Sequence, residues 1–335
     1  MTREMQPVLA EVWRGPILEC VHRGTAVVAG PDGAVVEAWG DPDRVVLPRS
    51  SCKMLQALPL VESGAADAAG LGSEQLALAA ASHTGAAVHV ERVTAWLGSL
   101  GLGEADLRCG SQVPGDAGER HRLRDNGEPP SQRHNNCSGK HSGFLTLNRR
   151  LGGGPEYHEP DHPVQRAVRQ AIEEACGEET RGHAIDGCSA PNFAVSLGGL
   201  ARAMARFARP RQGFSGARAE AAERIRNAMA AHPVLVAGEG RADTAILRET
   251  GGTAVTKTGA EGVYMAMLPE RGLGIALKID DGASRGAKAA IAALLVRHGA
   301  LDRGSRVFRE LADAPLLNRR GIDCGRVRAA ETLLA

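Results

Sequence analysis

The sequence predicts an α/β fold of the α+β type, in which an antiparallel sheet is assembled from both chain ends and a helical region is inserted between them. Three observations carry that expectation. Alternating apolar runs bounded by turn residues lie near the start, at 17–21, 25–28 and, after the Pro31-Asp32-Gly33 turn, 34–38. The same pattern returns late, at 253–259, 262–268 and 274–280, and a last helix runs from 284 through 298 and onward. Between the two sets apolar residues recur at helical spacing. All 335 residues are expected in one domain, with sheet regions at about 7–48 and 250–335 and the helical region at about 49–249.

Taken in order, the first helix is expected to open at Pro48, to bury Met54, Leu55, Leu58 and Val61, and to close at Gly64. It would pack between the two parts, where ligand clefts commonly form. Ser73 reads as the N-cap of an Ala/Leu-rich helix running into Ala81-Ser82-His83-Thr84-Gly85, and 88–100 as a further helix. Residues 111–134, rich in Gly, Pro and charge, read as a long surface loop able to act as a lid. Helices follow at 163–176, 193–207 and 217–231.

Composition excludes several classes. A chain with 43% hydrophobic and 24% charged residues is an ordinary folded protein, and five Phe, three Trp and two Tyr leave no base-stacking platform. The formal charge of +1, without long runs of one sign, argues against a nucleic-acid or membrane-surface partner. Neither an apolar signal region after Met1 nor an uncharged apolar stretch of about 18 residues occurs, so a cytoplasmic protein is expected. Seven scattered cysteines suit reduced thiols rather than a disulfide framework.

The chemistry centres on Ser50-Ser51-Cys52-Lys53, an S-x-x-K pattern at a helix start, where the Lys53 amine can reach the Ser50 hydroxyl and free N–H groups face whatever that hydroxyl attacks. The lysine economy gives the pattern weight: Lys53, Lys140, Lys257, Lys278 and Lys288 are the five lysines, so 35 of the 40 basic residues are arginine. Arginine cannot supply a neutral amine, so the surviving lysines are candidates for chemistry. Lys257-Thr258-Gly259 ends an alternating strand. Serine acyltransferases of the β-lactamase and penicillin-binding class carry S-x-x-K early and K-T-G late in the chain, in the order found here. Ser82 offers a second hydroxyl in the corner where those enzymes carry S-x-N; a helix end closed by Gly85 explains the stretch equally well. Cys137-x-x-Lys140-His141 together with Cys188 would suit zinc through two thiolates and a nitrogen, the alternative being that the cysteines are simply buried.

Together, Pro48-Arg49-Ser50-Ser51-Cys52-Lys53-Met54, Ala81-Ser82-His83-Thr84-Gly85, His134-Asn135-Asn136-Cys137-Ser138-Gly139-Lys140-His141, Asp186-Gly187-Cys188-Ser189-Ala190-Pro191 and Lys257-Thr258-Gly259-Ala260-Glu261-Gly262 resemble the L-asparaginase II family of rhizobial type, over about residues 10–300. The resemblance implies a β-lactamase-like fold and cleavage of L-asparagine to L-aspartate and ammonia through two Ser-Lys pairs, Ser50 with Lys53 and Ser82 with Lys257. It also implies zinc held by Cys137, Lys140 and Cys188, with Asp186 nearby. Arg49, His83, Asn136, Asp186 and Gly259 are then the candidate substrate contacts, and a neutral Lys53 makes turnover rise toward alkaline pH. The rival readings are a β-lactamase or peptidoglycan peptidase, a glutaminase differing by one methylene in its substrate, and a non-catalytic zinc- or ligand-binding module. A homodimer is the base-rate expectation.

Overall fold

The computed structural model describes residues 5–335. The chain divides into two compact units: described residues up to Cys52 with Val195–Gly213 and Ala245–Ala335, and Lys53–Ala194 with Phe214–Thr244.

The first unit holds an eight-stranded sheet built from both chain ends. Its strands are β1 (Val8–Arg14), β2 (Ile17–Ala29), β3 (Val35–Trp39), β4 (Val255–Thr258), β5 (Val263–Leu268), β6 (Leu273–Ile279), β7 (Asp313–Leu317) and β8 (Asp323–Ala329). They run in the order β7-β8-β1-β2-β6-β5-β4, with β3 also on β2, and neighbours are antiparallel. The sheet expected from the two ends is therefore present, with three differences in its parts. The runs 17–21 and 25–28 form one strand, because Gly24 marks the point where β2 passes from β1, through Arg23 opposite Val8, to β6, where Gly24 lies opposite Ile279. β1 lies ahead of the first expected strand, inside the sheet region expected from about residue 7. The β7–β8 hairpin lies where continued helix was expected; it mixes Pro315 and arginines with few buried positions, so its period-2 signal is faint.

Burial of Leu9, Val12, Val28, Ile275 and Leu277 against Ile291 and Leu294 of the helix Ser284–Arg297 forms the core of this unit. The helix Leu197–Ala208 also belongs here, although the sequence placed it in the helical region. It rests so closely on β6 that a Cβ at Gly274 would lie 2.1 Å from the Ala205 nitrogen, and only glycine permits that approach. The helix expected from 193 begins instead at Leu197, where the Ser196 hydroxyl accepts from Gly199 N–H at 2.9 Å; Pro191–Phe193 and Val195–Ser196 are short strands.

The second unit is mainly helical. Ala87–Ser99, Pro163–Cys176 and Gly216–Ala231 lie within a residue or so of their expected bounds, and Leu60, Leu78, Val93, Leu97, Ile172 and Ile225 bury between helices. Three expectations are corrected. The single helix over 48–64 is a 3-10 turn Arg49–Cys52 followed by helices Lys53–Gln56 and Leu58–Glu62, because Pro59 has no N–H with which to continue the ladder. Ser73 is the first helical residue and Gly72 the cap. The 111–134 loop contains the helix Ala117–Asp125, started by the Asp116 carboxylate accepting from Glu119 N–H at 2.8 Å. Among the described residues no helix is long and apolar enough to cross a membrane.

Candidate active site

Within the sheet unit, the chain turns sharply ahead of Ser50. Arg49 has φ 54°, left-handed for a non-glycine residue, and the turn is tied by the Ser51 hydroxyl donating to Pro48 O at 2.7 Å and the Cys52 thiol donating to Arg49 O at 3.2 Å. Ser50 and Arg49 are half-buried. Lys257 on β4 is fully buried and donates to Thr258 O at 2.8 Å. Gly259 brings the two motifs together: a Cβ there would lie 2.7 Å from Pro48 O and 3.1 Å from Ser51 N. K-T-G ends in glycine because the serine turn rests on that backbone.

In the helical unit, Lys53 is fully buried and its ammonium meets oxygen on three sides. It donates to Ala81 O at 2.5 Å, Ser82 Oγ at 3.0 Å and Asn136 O at 3.3 Å. Ser82 is itself fixed by its N–H on Val236 O at 2.8 Å. The structure thus pairs Lys53 with Ser82, a pairing that the S-x-x-K spacing did not suggest.

His83 follows with both ring nitrogens engaged. Gly85 N–H donates to Nδ1 at 3.1 Å, so Nε2 carries the proton and donates to Ser138 Oγ at 3.0 Å, which donates on to Arg133 O at 2.9 Å. Burial, then the His89 ring stacked 4.7 Å away and the Lys53 charge, hold His83 well below the ordinary histidine range. Its ring is a neutral strut with no nitrogen left for a ligand. Asn136 contributes its carbonyl, which accepts from both Lys53 and His83 N–H, the latter at 3.3 Å.

The third motif forms a sulfur cluster in the same unit. Lys140 Nζ donates to Cys188 Sγ at 3.0 Å, and the Cys137 thiol donates to Asn136 Oδ1 at 3.1 Å; Cys137, Lys140 and Cys188 are all buried. The neighbouring Cys137 sulfur, then the Lys140 charge, hold Cys188 well below the ordinary thiol range despite burial. The Cys188 sulfur, then burial, push Cys137 up to about 12. Burial alone would lower Lys140, but the charge on Cys188 raises it. Asp186 adds its charge toward Lys140, and its carboxylate accepts from Gly187 N–H at 2.8 Å. Two sulfurs and one nitrogen are a donor set of the kind zinc takes, and binding would displace the protons these groups carry. Among the described residues no three His, Cys, Asp or Glu side chains converge on a metal position, so the set exists only with lysine counted.

The sequence pattern that defines the L-asparaginase II family matches residues 10–329. The chain belongs to the L-asparaginase II family. No curated protein matches it. Solved structures similar to it include a β-lactamase from Mycobacterium bovis, 15% identical with TM-score 0.46, covering 81% of this chain and 93% of that one. Another is Mglu in its native form, 15% identical with TM-score 0.49, covering 85% of this chain and 66% of that one. At such distances neither likeness bears on chemistry.

Backbone strain in this L-asparaginase II chain points to the same motifs. Among the described residues, the non-glycine residues with positive φ are Arg49, Ser189 and Glu261, each inside one of the family-like segments. Such conformations cost about 1–3 kcal/mol apiece and gather at functional sites. Sequence reasoning missed the backbone acceptors at Ala81 and Asn136, which no side-chain motif encodes. Cys109 is buried, as expected of the cysteines outside the motif, and lies within electrostatic reach of the sulfur pair, pushed up to about 12 by burial and by Cys137. The Arg108 N–H to Tyr157 hydroxyl to His141 Nδ1 chain, both steps 2.9 Å, was hidden in residues far apart along the chain.

Proposed function

We propose that this chain is an amidohydrolase that cleaves L-asparagine to L-aspartate and ammonia through a serine acyl-enzyme, as the family-like motifs imply. The observation that carries the reading is the oxygen cage around Lys53. Ala81 O and Asn136 O can only accept, so they take two N–H groups; the third neighbour, the Ser82 hydroxyl, can accept from an ammonium or donate to a neutral amine. The proton between Nζ and Oγ is therefore the one free to move, and Lys53 with Ser82 is a proton relay already at hydrogen-bond distance.

In the reaction, Ser50 Oγ attacks the side-chain amide carbon, and its proton passes by way of Lys53 to the departing nitrogen. The C–N bond breaks, ammonia leaves and an aspartyl ester remains on Ser50. Water adds to the ester and gives its proton to the same relay, which returns it to Ser50 Oγ as the ester bond breaks and aspartate leaves. Lys257 supplies positive charge in the Ser50 half of the machinery, and Arg49 is placed to hold the substrate α-carboxylate. Cys137, Lys140 and Cys188 would hold zinc, which when bound supplies a fixed positive charge to a carboxylate. His83 and Asn136 act by holding other groups in place, and Gly259 by letting two segments touch.

The test is ammonia release by purified, zinc-replete protein given L-asparagine or L-glutamine, beside the colour change of nitrocefin on ring opening. Ammonia from asparagine supports the reading. Hydrolysis of glutamine or nitrocefin alone reassigns the substrate, and silence with all three overturns catalysis.

A further inference from the structure

Lys278 has no part in the reaction above, although it is one of the five lysines in an arginine-rich chain. It lies on β6, half-buried, and its ammonium donates to Glu261 O at 2.5 Å and Ile279 O at 2.7 Å. Glu261 is the strained residue of the turn between β4 and β5, with φ 57° followed by Gly262 at φ 70°. The same turn carries Gly259, whose N–H donates to Val263 O at 2.8 Å and whose α-carbon rests on the Pro48–Ser51 turn. Gly262 O in turn accepts from Ile279 N–H at 2.9 Å, so β6 grips the turn twice.

We propose that Lys278 is a positioning residue: by clamping the left-handed Glu261 carbonyl it fixes the 259–262 turn, and through Gly259 it sets the turn that carries Ser50. The charged groups around it are Arg44, Glu261, Asp280 and Asp281. Two carbonyl oxygens at short range suit the tetrahedral donors of an ammonium, and the larger planar guanidinium cannot place two N–H groups on them without displacing the turn. This explains a lysine where the chain otherwise uses arginine.

As a role for the proposed amidohydrolase, the inference rests on that reading, but its test has an arm that does not. Lys278→Met should lower kcat for asparagine about tenfold or more while KM changes little, since misplacing a reacting group acts on the chemical step. Amide exchange at Gly259 should quicken in the same variant. Glu261→Gly removes the cost of the left-handed conformation, so the double variant Lys278→Met/Glu261→Gly should regain most of kcat and slow exchange at Gly259. Lys278→Arg should behave like Lys278→Met. Wild-type kcat or unchanged exchange in Lys278→Met overturns the proposal, as does failure of Glu261→Gly to restore a folded Lys278→Met protein. If wild type releases no ammonia, the functional reading fails on its own and the exchange arm still decides the clamp.

Discussion

Lys53 and Lys140 are both buried in the helical unit, and they differ in what surrounds them. Lys53 faces three oxygens, two of them carbonyls, whereas Lys140 faces the Cys188 sulfur at 3.0 Å. An oxygen cage keeps a proton in place and lets it move along one bond. Sulfur neighbours are soft ligands that release their protons to a metal. In the proposed function the same residue type serves proton transfer in one place and metal ligation in the other, and the neighbouring atoms are what separates the two roles.

The largest expected effect is at Lys53. Lys53→Arg keeps a cation but cannot exchange its proton, so turnover should fall about 1000-fold with zinc content unchanged. Should Lys53→Arg retain activity while losing metal, the division of labour between the two lysines is reversed. Ser82→Ala leaves Lys53 on its two carbonyls alone, and a loss of about 100-fold is expected in kcat. Lys140→Met should weaken zinc binding at least tenfold in competition with a chromophoric chelator, with a smaller loss of turnover than Lys53→Arg. Unchanged affinity there would remove the amine from the metal set.

The smallest effect sharpens the comparison from the side of the struts. His83 is held neutral well below the ordinary value of 6.5. A folded-state pKa lowered in this way contributes stability that is complete above the unfolded value and is lost as pH falls below it. The melting free energy should thus decline below pH 6.5 by up to about 1.4 kcal/mol per pH unit for this histidine, until its folded-state pKa is reached. His83→Asn should flatten that decline when thermal midpoints are compared between pH 7 and pH 5. An undiminished slope in the variant would move the acid sensitivity to other groups such as His89, which burial also lowers.

How much of this was legible in the sequence follows from what each feature depends on. Antiparallel strands at both ends were readable because β5 and β6 keep continuous apolar runs, whereas β7 and β8 hide theirs among Pro315, Arg326 and Arg328. The motif residues were readable because their types are scarce: five lysines stand out in a chain with 35 arginines. The contact between Lys53 and Ser82 was not. Lys53 meets Ser82 because helix Ser73–Ala79 ends just before Ala81, and two of its three acceptors include backbone carbonyls that any residue could supply. The strain at Arg49, Ser189 and Glu261 was also invisible, since nothing in those side chains announces a left-handed backbone.

The central claim, that Ser50 carries the acyl group and the Lys53 relay serves it, is tested most directly by quenching the zinc-replete enzyme during turnover of L-asparagine and mapping adducts by mass spectrometry, beside Ser50→Ala. The account predicts one aspartyl ester on the peptide containing Ser50, with neither adduct nor ammonia release in the variant. Ammonia release that persists in Ser50→Ala, or an ester found on Ser82, would contradict it.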